Sequence, residues 1–120
     1  MSYLVISFSH KNIDIKMREK LAFSSTEDKD RFIRVLLEHE CTKEVVLLST
    51  CNRVEIITRS SSIKASARNI IEKLANYSGV EFDTLYNRAD IYDNDGAVHH
   101  LFSVASALDS LVIGETQIVG

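Results

Sequence analysis

With 120 residues, 13.5 kDa, 45% hydrophobic and 26% charged side chains, the chain has the make-up of one ordinary globular domain, which excludes the disordered and fibrous classes. No apolar run exceeds a few residues, far short of the roughly 20 that a membrane-spanning helix needs. Fourteen basic against seventeen acidic residues give a net charge of -3, which argues against an indiscriminate nucleic-acid binder while leaving room for a local basic edge. Cys41 and Cys51 are the two cysteines, and no apolar leader follows Met1, so the expectation is reduced thiols in a cytoplasmic protein. They form no CxxC or Cys/His pattern with zinc spacing, and no metal is expected.

Tyr3 to Ser9 is a short β-branched and aromatic run, which predicts a buried strand. Ile13, Met17 and Leu21 recur four apart and predict a short helix. Ser24-Ser-Thr-Glu27 has the S-x-x-E form of a capping box and opens a helix expected over about Thr26 to Glu40, with Phe32, Ile33, Val35, Leu36 and Leu37 as its apolar stripe. Glu44 to Thr50 and Arg53 to Arg59 read as strands. Cys51-Asn52 between them predicts a tight reversal, because Asn tolerates left-handed backbone. Serines 60 to 62 can cap a helix with Ile63, Ala67, Ile70, Ile71 and Leu74 on one face, and Gly79 supplies its stop. A helical turn at Phe82 to Tyr86 and a weak strand at Asp90 to Asp93 follow.

The resulting order β, α, β, β, α, β predicts an α+β fold, a ferredoxin-like split βαβ sandwich with helices on one face of an antiparallel sheet. An extra C-terminal helix is expected over Gly96 to Ser110, with Ala97, Leu101, Val104, Ala105 and Leu108 on one face. His99 then points away from that face and His100 lies near its edge. Leu111 to Gly120 is an apolar stretch with no terminating signal, so the expectation is a piece of a longer protein.

Cys51 at a corner between buried strands would project a thiol from a rigid base, with Arg53 two residues on to favour thiolate. A small buried hydrophobe is the commoner role of a free cysteine, and Cys41 is assigned that role. His100 can reach a cleft at the core edge and move protons to a leaving oxygen, although a lone helix histidine is more often structural or solvated. Ser110, Glu115 and Gln117 form a last polar cluster whose plain role would be capping and turn chemistry. There is no glycine-rich phosphate loop, so any nucleotide cofactor belongs on another domain.

Three separated segments then carry a resemblance. Ser9-His-Lys followed by Arg18-Glu-Lys-Leu-Ala-Phe23, Leu48-Ser-Thr-Cys-Asn-Arg-Val-Glu-Ile56, and the stretch from His100 to Gly120 resemble the glutamyl-tRNA reductase family, in order and over the whole chain. The sequence departs from the family pattern at Asn12-Ile-Asp14, where a Thr-Ala-Pro-type run is common, and at Ser103, Ala107 and Thr116, where Arg, Gly and Pro are usual. The Ser103 departure puts a helix-surface contact in doubt, not the nucleophile.

The resemblance implies NADPH-dependent reduction of glutamyl-tRNA(Glu) to glutamate-1-semialdehyde through a cysteine thioester, the first step of tetrapyrrole (haem) synthesis by the five-carbon route. By motif, Cys51 is similar to the nucleophile and His100 to a residue assisting proton transfer. Thr50, Asn52 and Arg53 would line the glutamate pocket, while Ser110, Glu115, Thr116 and Gln117 match substrate-site positions. Residues 1–120 would be the N-terminal catalytic domain, with the NADPH-binding and dimerisation domains absent. The whole protein would be a homodimer with glutamate-1-semialdehyde aminomutase as a candidate partner. Such a piece would keep the thioester chemistry in outline without completing the reduction. Lys64, Arg68 and Arg59 could form a basic edge of weak RNA affinity. Two other readings stay open: a thiol-dependent ester hydrolase using Cys51 and His100, and a noncatalytic ferredoxin-like RNA- or metabolite-binding module. The strands lack the paired aromatics that stack bases in RNA-recognition domains, which counts against the latter.

Overall fold

The first strand, β1 (Ser2–Ser9), is buried at every position from Leu4 to Ser9 because it lies inside the sheet and both its faces are covered. The computed structural model describes residues 1–107 and 118–119. Its sheet also contains β2 (Thr42–Ser49), β3 (Arg53–Ser60), β4 (Asp90–Asp93) and β5 (Ile118–Val119), in the order β4-β1-β3-β2-β5. All four neighbouring pairs are antiparallel. The first four strands of that order are the split βαβ arrangement expected from the sequence. The two-residue β5 was not anticipated; it pairs Val45 with Val119 and Val46 with Ile118.

Alternation along the central strands divides the chemistry of the two faces. Leu4, Ile6 and Phe8 of β1 and Val54 and Ile56 of β3 face the helices α1 (Ile15–Leu21), α2 (Thr26–Leu37), α3 (Ile63–Ser78) and α4 (Phe82–Arg88). Ile33, Leu36, Ile70, Ile71, Leu74 and Leu85 complete that core with 1% exposure or less, each contributing about 1.5 to 3 kcal/mol of apolar burial. The extra helix α5 (Asn94–Ala107) lies on the other face, where Ala97 and Leu101 pack with Val5, Val46, Ile57 and Tyr92. Both faces are therefore covered: the helices of the split unit share one, and the added helix closes the second.

Local chemistry sets the ends of the helices. Asp14 caps α1 by accepting from the Met17 amide at 2.9 Å. The cap of α2 is Ser25, which accepts from the Asp28 amide at 3.1 Å, one residue later than the Ser24–Glu27 box read from sequence; Ser24 instead donates its hydroxyl to the Asp28 carboxylate at 3.0 Å. α2 ends at Leu37 rather than near Glu40, and the turn beyond it is tied by the Cys41 amide donating to His39 Nδ1 at 3.2 Å. Ser62 caps α3, and Gly79 ends it at φ 76° with its amide on the Ala75 carbonyl at 2.9 Å. α5 begins two residues before the expected Gly96, at Asn94, which has φ 46°.

Candidate active site

The hairpin between β2 and β3 presents the thiol. Ser49 and Val54 are the last strand pair in register, and beyond them the Thr50 amide donates to the Arg53 carbonyl at 2.8 Å. The Thr50 hydroxyl oxygen accepts from the amides of Asn52 and Arg53, both at 3.2 Å. Cys51-Asn52 is thus a two-residue loop closed by a side-chain hydroxyl. Neither residue has positive φ, so the left-handed Asn52 anticipated from sequence is not what makes the reversal; the threonine does. With its oxygen engaged by two amides, Thr50 has its hydroxyl proton left to offer a ligand.

Cys51 is exposed and Cys41 half-buried. Cys51, Thr50 and Asn52 line a hollow of about 410 Å³ whose far wall is α1, through Ile15, Arg18 and Glu19, and Ala22 just beyond it. The Nε of Arg18 is buried there without a hydrogen-bond partner among the described residues.

On the α5 side the polar end of the sheet face carries a second constellation. Cross-strand register sets Ser7 beside Glu55 and Ser9 beside Arg53, next to the apolar pair Val5 and Ile57. The Glu55 side chain is 1% exposed, and both its oxygens are engaged: Arg53 Nη1 donates to Oε2 at 2.7 Å and His100 Nε2 to Oε1 at 2.5 Å. A carboxylate so far from water requires such compensation, and charge-assisted bonds of this length are the strong kind. Tyr92 from β4 stacks on the imidazole, ring centres 4.1 Å apart and planes 13° from parallel. Burial, and then the Asp90 and Glu55 carboxylates, push the Tyr92 hydroxyl above its ordinary range, with Arg53 pulling the other way. Arg53, Tyr92, His100, Ser7, Ser9 and Lys11 line a hollow of about 190 Å³.

The structure thus brings Arg53 and His100 together about Glu55 on the α5 side, and places Cys51, Thr50 and Asn52 in a separate hollow walled by α1 that shares no lining residue with the first. His99 is exposed, as its position on α5 implied. Ser110, Glu115, Thr116 and Gln117 lie outside the described residues. Glu55 carried no assigned role in the sequence reading. Its signal was available: Arg53 and Glu55, of opposite sign and two apart, must share one face of a strand. Of the basic edge, Arg59 pairs with Glu44 at 2.8 Å, Arg68 lies 5.4 Å above the Phe82 ring, and Lys64 is exposed.

Among the described residues no three His, Cys, Asp or Glu side chains are grouped to hold a metal, and no helix is long and apolar enough to cross a membrane. Gly79 ends α3 and Gly96 sits within α5, so among the described residues no glycine-rich turn cradles a dinucleotide phosphate.

Comparison with known proteins decides the family. The model of the glutamyl-tRNAGlu reductase N-terminal domain matches residues 6–120. The chain belongs to that family. It is 79% identical over 120 residues to the glutamyl-tRNA reductase of Aliarcobacter butzleri (strain RM4018) and 58% identical over 120 residues to that of Campylobacter curvus (strain 525.92), covering 100% of this chain and 28% of each relative. Among solved structures, it is similar to the glutamyl-tRNA reductase from Methanopyrus kandleri at 31% identity and TM-score 0.60, over 95% of this chain and 24% of that one. The chain therefore spans about a quarter of the length of these reductases.

Proposed function

We propose that this chain is the substrate-binding and thiol-bearing part of an oxidoreductase that converts glutamyl-tRNA(Glu) to glutamate-1-semialdehyde, the entry to five-carbon tetrapyrrole synthesis. The observation that carries the reading is the exposed Cys51 on a hydroxyl-closed hairpin, two residues from the Arg53–Glu55–His100 triad, in a chain of the glutamyl-tRNA reductase family.

In this reading the Cys51 sulfur attacks the ester carbonyl that joins glutamate to the terminal ribose. A carbon–sulfur bond forms, the carbon–oxygen ester bond breaks, and the proton that the Cys51 thiol gives up ends on the leaving ribose oxygen with the assistance of His100. Arg53 grips the substrate side-chain carboxylate. A guanidinium matches a carboxylate bidentately and an amide poorly, which favours glutamate over glutamine. Thr50 and Asn52 line the approach to the thiol, and Ser110, Glu115, Thr116 and Gln117 complete the substrate contacts. The chemistry of this chain's own residues ends at the thioester, whose carbonyl is a better hydride acceptor than an ester or carboxylate. NADPH is assigned to a separate domain of the longer protein, as is the dimer contact of a homodimer. Glutamate-1-semialdehyde aminomutase is the proposed acceptor of the product, in the cytoplasm.

The test is a Cys51→Ser replacement in the full-length protein, assayed with glutamyl-tRNA and NADPH. Turnover should be abolished, and a glutamyl adduct should be trapped on Cys51 of the unsubstituted protein from charged tRNA but not from simple esters. Undiminished turnover refutes the reading, and labelling by simple esters favours the thiol hydrolase.

A further inference from the structure

Glu55 is the buried titratable group that the proposed chemistry does not use, yet it sits between two residues that the chemistry does use. Both carboxylate oxygens are spent on Arg53 and His100, whose side chains retain 15% exposure and line the same hollow. A guanidinium is always charged, and an ionised carboxylate beside it can only accept. The Nε2 of His100 must therefore be the proton-bearing nitrogen. In a neutral imidazole that leaves Nδ1 with the lone pair. The stacked Tyr92 holds the ring plane, so the orientation is fixed from two sides.

We propose that Glu55 is a positioning residue: one oxygen fixes Arg53 for the substrate carboxylate, and the other sets His100 in the tautomer whose Nδ1 lone pair accepts the proton given up by the Cys51 thiol and passes it to the leaving ribose oxygen. This rests on the roles given above to Arg53 and His100. Glu55 touches no substrate in this arrangement. It acts on binding through one partner and on turnover through the other.

Two measurements test it. Ring-nitrogen correlation spectra with 15N-labelled histidine should show His100 bearing its proton on Nε2. Glu55→Gln, which presents one oxygen to two donors, should convert His100 to a mixture of tautomers. In the full-length protein, Glu55→Gln should lower kcat/KM about 100-fold, the scale of a small misplacement of reacting groups. Glu55→Asp keeps the charge but is one methylene too short to hold both partners, and it should lose activity while keeping its urea midpoint. The decisive split comes in a His100→Ala background, where Glu55→Gln should still raise KM and leave kcat unchanged.

A ring in the unsubstituted protein that carries its proton on Nδ1 with Nε2 bare overturns the proposal. So does the same fold loss of kcat from Glu55→Gln in both backgrounds, the pattern of a merely structural residue. Full turnover in Cys51→Ser would overturn the functional reading and this inference together; a dead Cys51→Ser with either result above overturns this inference alone.

Discussion

Replacing Glu55 by leucine should be among the costliest single changes in the protein, and the reason is charge rather than volume. The substitution removes the shared acceptor of Arg53 and His100. Breaking a buried ion pair by deleting one partner costs about 3 to 5 kcal/mol, because the other charge is left without compensation. Two features place this case at the low end. Both stranded side chains keep 15% exposure along a hollow, and the imidazole in the tautomer given above is neutral, so the guanidinium alone remains an uncompensated ion. The expected loss is about 3 kcal/mol. With a urea slope of about 2 kcal/mol/M for a domain of this size, the unfolding midpoint should fall by about 1.5 M. The companion variant Arg53→Met, Glu55→Leu, His100→Phe removes the ion pair and the imidazole together and keeps an aromatic ring against Tyr92. Exchanging a buried ionic cluster for apolar groups is commonly neutral or stabilising, so its midpoint should return to within about 0.5 M of the starting protein. A triple variant as weak as the single one would refute the charge argument, and so would a single variant with an unmoved midpoint.

In the helical core, Ile70→Ala removes a side chain with 0% exposure and should cost about 3 kcal/mol in urea unfolding; a loss under about 1 kcal/mol would mean that the site collapses freely. Gly79→Ala meets no atom within 4 Å, so its cost, about 1 kcal/mol, comes from φ +76° alone, and Gly79→Asn should cost less. Tyr77 and Tyr92 are both pushed above the ordinary 10.0, by burial first and then by Asp28 for Tyr77 and by Asp90 and Glu55 for Tyr92. The folded state therefore holds these two protons more tightly than the unfolded chain. The stability this gives is complete below pH 10 and should be lost as the pH rises above it; Tyr92→Phe should flatten that decline in denaturation series between about pH 9 and 12. Substoichiometric iodoacetamide should modify the exposed Cys51 ahead of the half-buried Cys41, read by peptide mass; preferential labelling of Cys41 would contradict the hairpin geometry.

The fold was legible where local chemistry and periodicity agreed. Apolar residues three and four apart marked α3, while serines 60 to 62 and Gly79 bounded it, and the observed helix is capped by Ser62 and ends at Gly79. The short β4 was legible as Asp90–Asp93 because it fills the edge position that the split βαβ order requires. Two features were not legible for a shared reason. A two-residue strand such as β5 has no periodicity of its own and exists through pairing with Val45 and Val46. The Cys51-Asn52 reversal depends on which hydrogen bond closes it. Asn52 advertises left-handed backbone, but the Thr50 hydroxyl supplies the closure without it.

The same limit governs the candidate site. Cys51, Arg53 and His100 could each be singled out by residue type and position, because a thiol at a corner, a cation beside it and an imidazole at a stripe edge are local facts. What joins Arg53 to His100 is Glu55, and that join spans 45 residues of sequence. It needs the β1–β3 register to set Glu55 beside Ser7 on the polar end of the sheet face, and it needs α5 to lie on that face. Ala97 and Leu101 seat α5 on Val5 and Ile57, and His100, three residues after Ala97, is thereby carried over Glu55, the one buried carboxylate among the described residues. The apolar contacts that cover the second face are thus the device that delivers the imidazole, so a change that loosens the seat, such as Ala97→Asp, should release His100 from Glu55 before it disturbs the helical core on the opposite side.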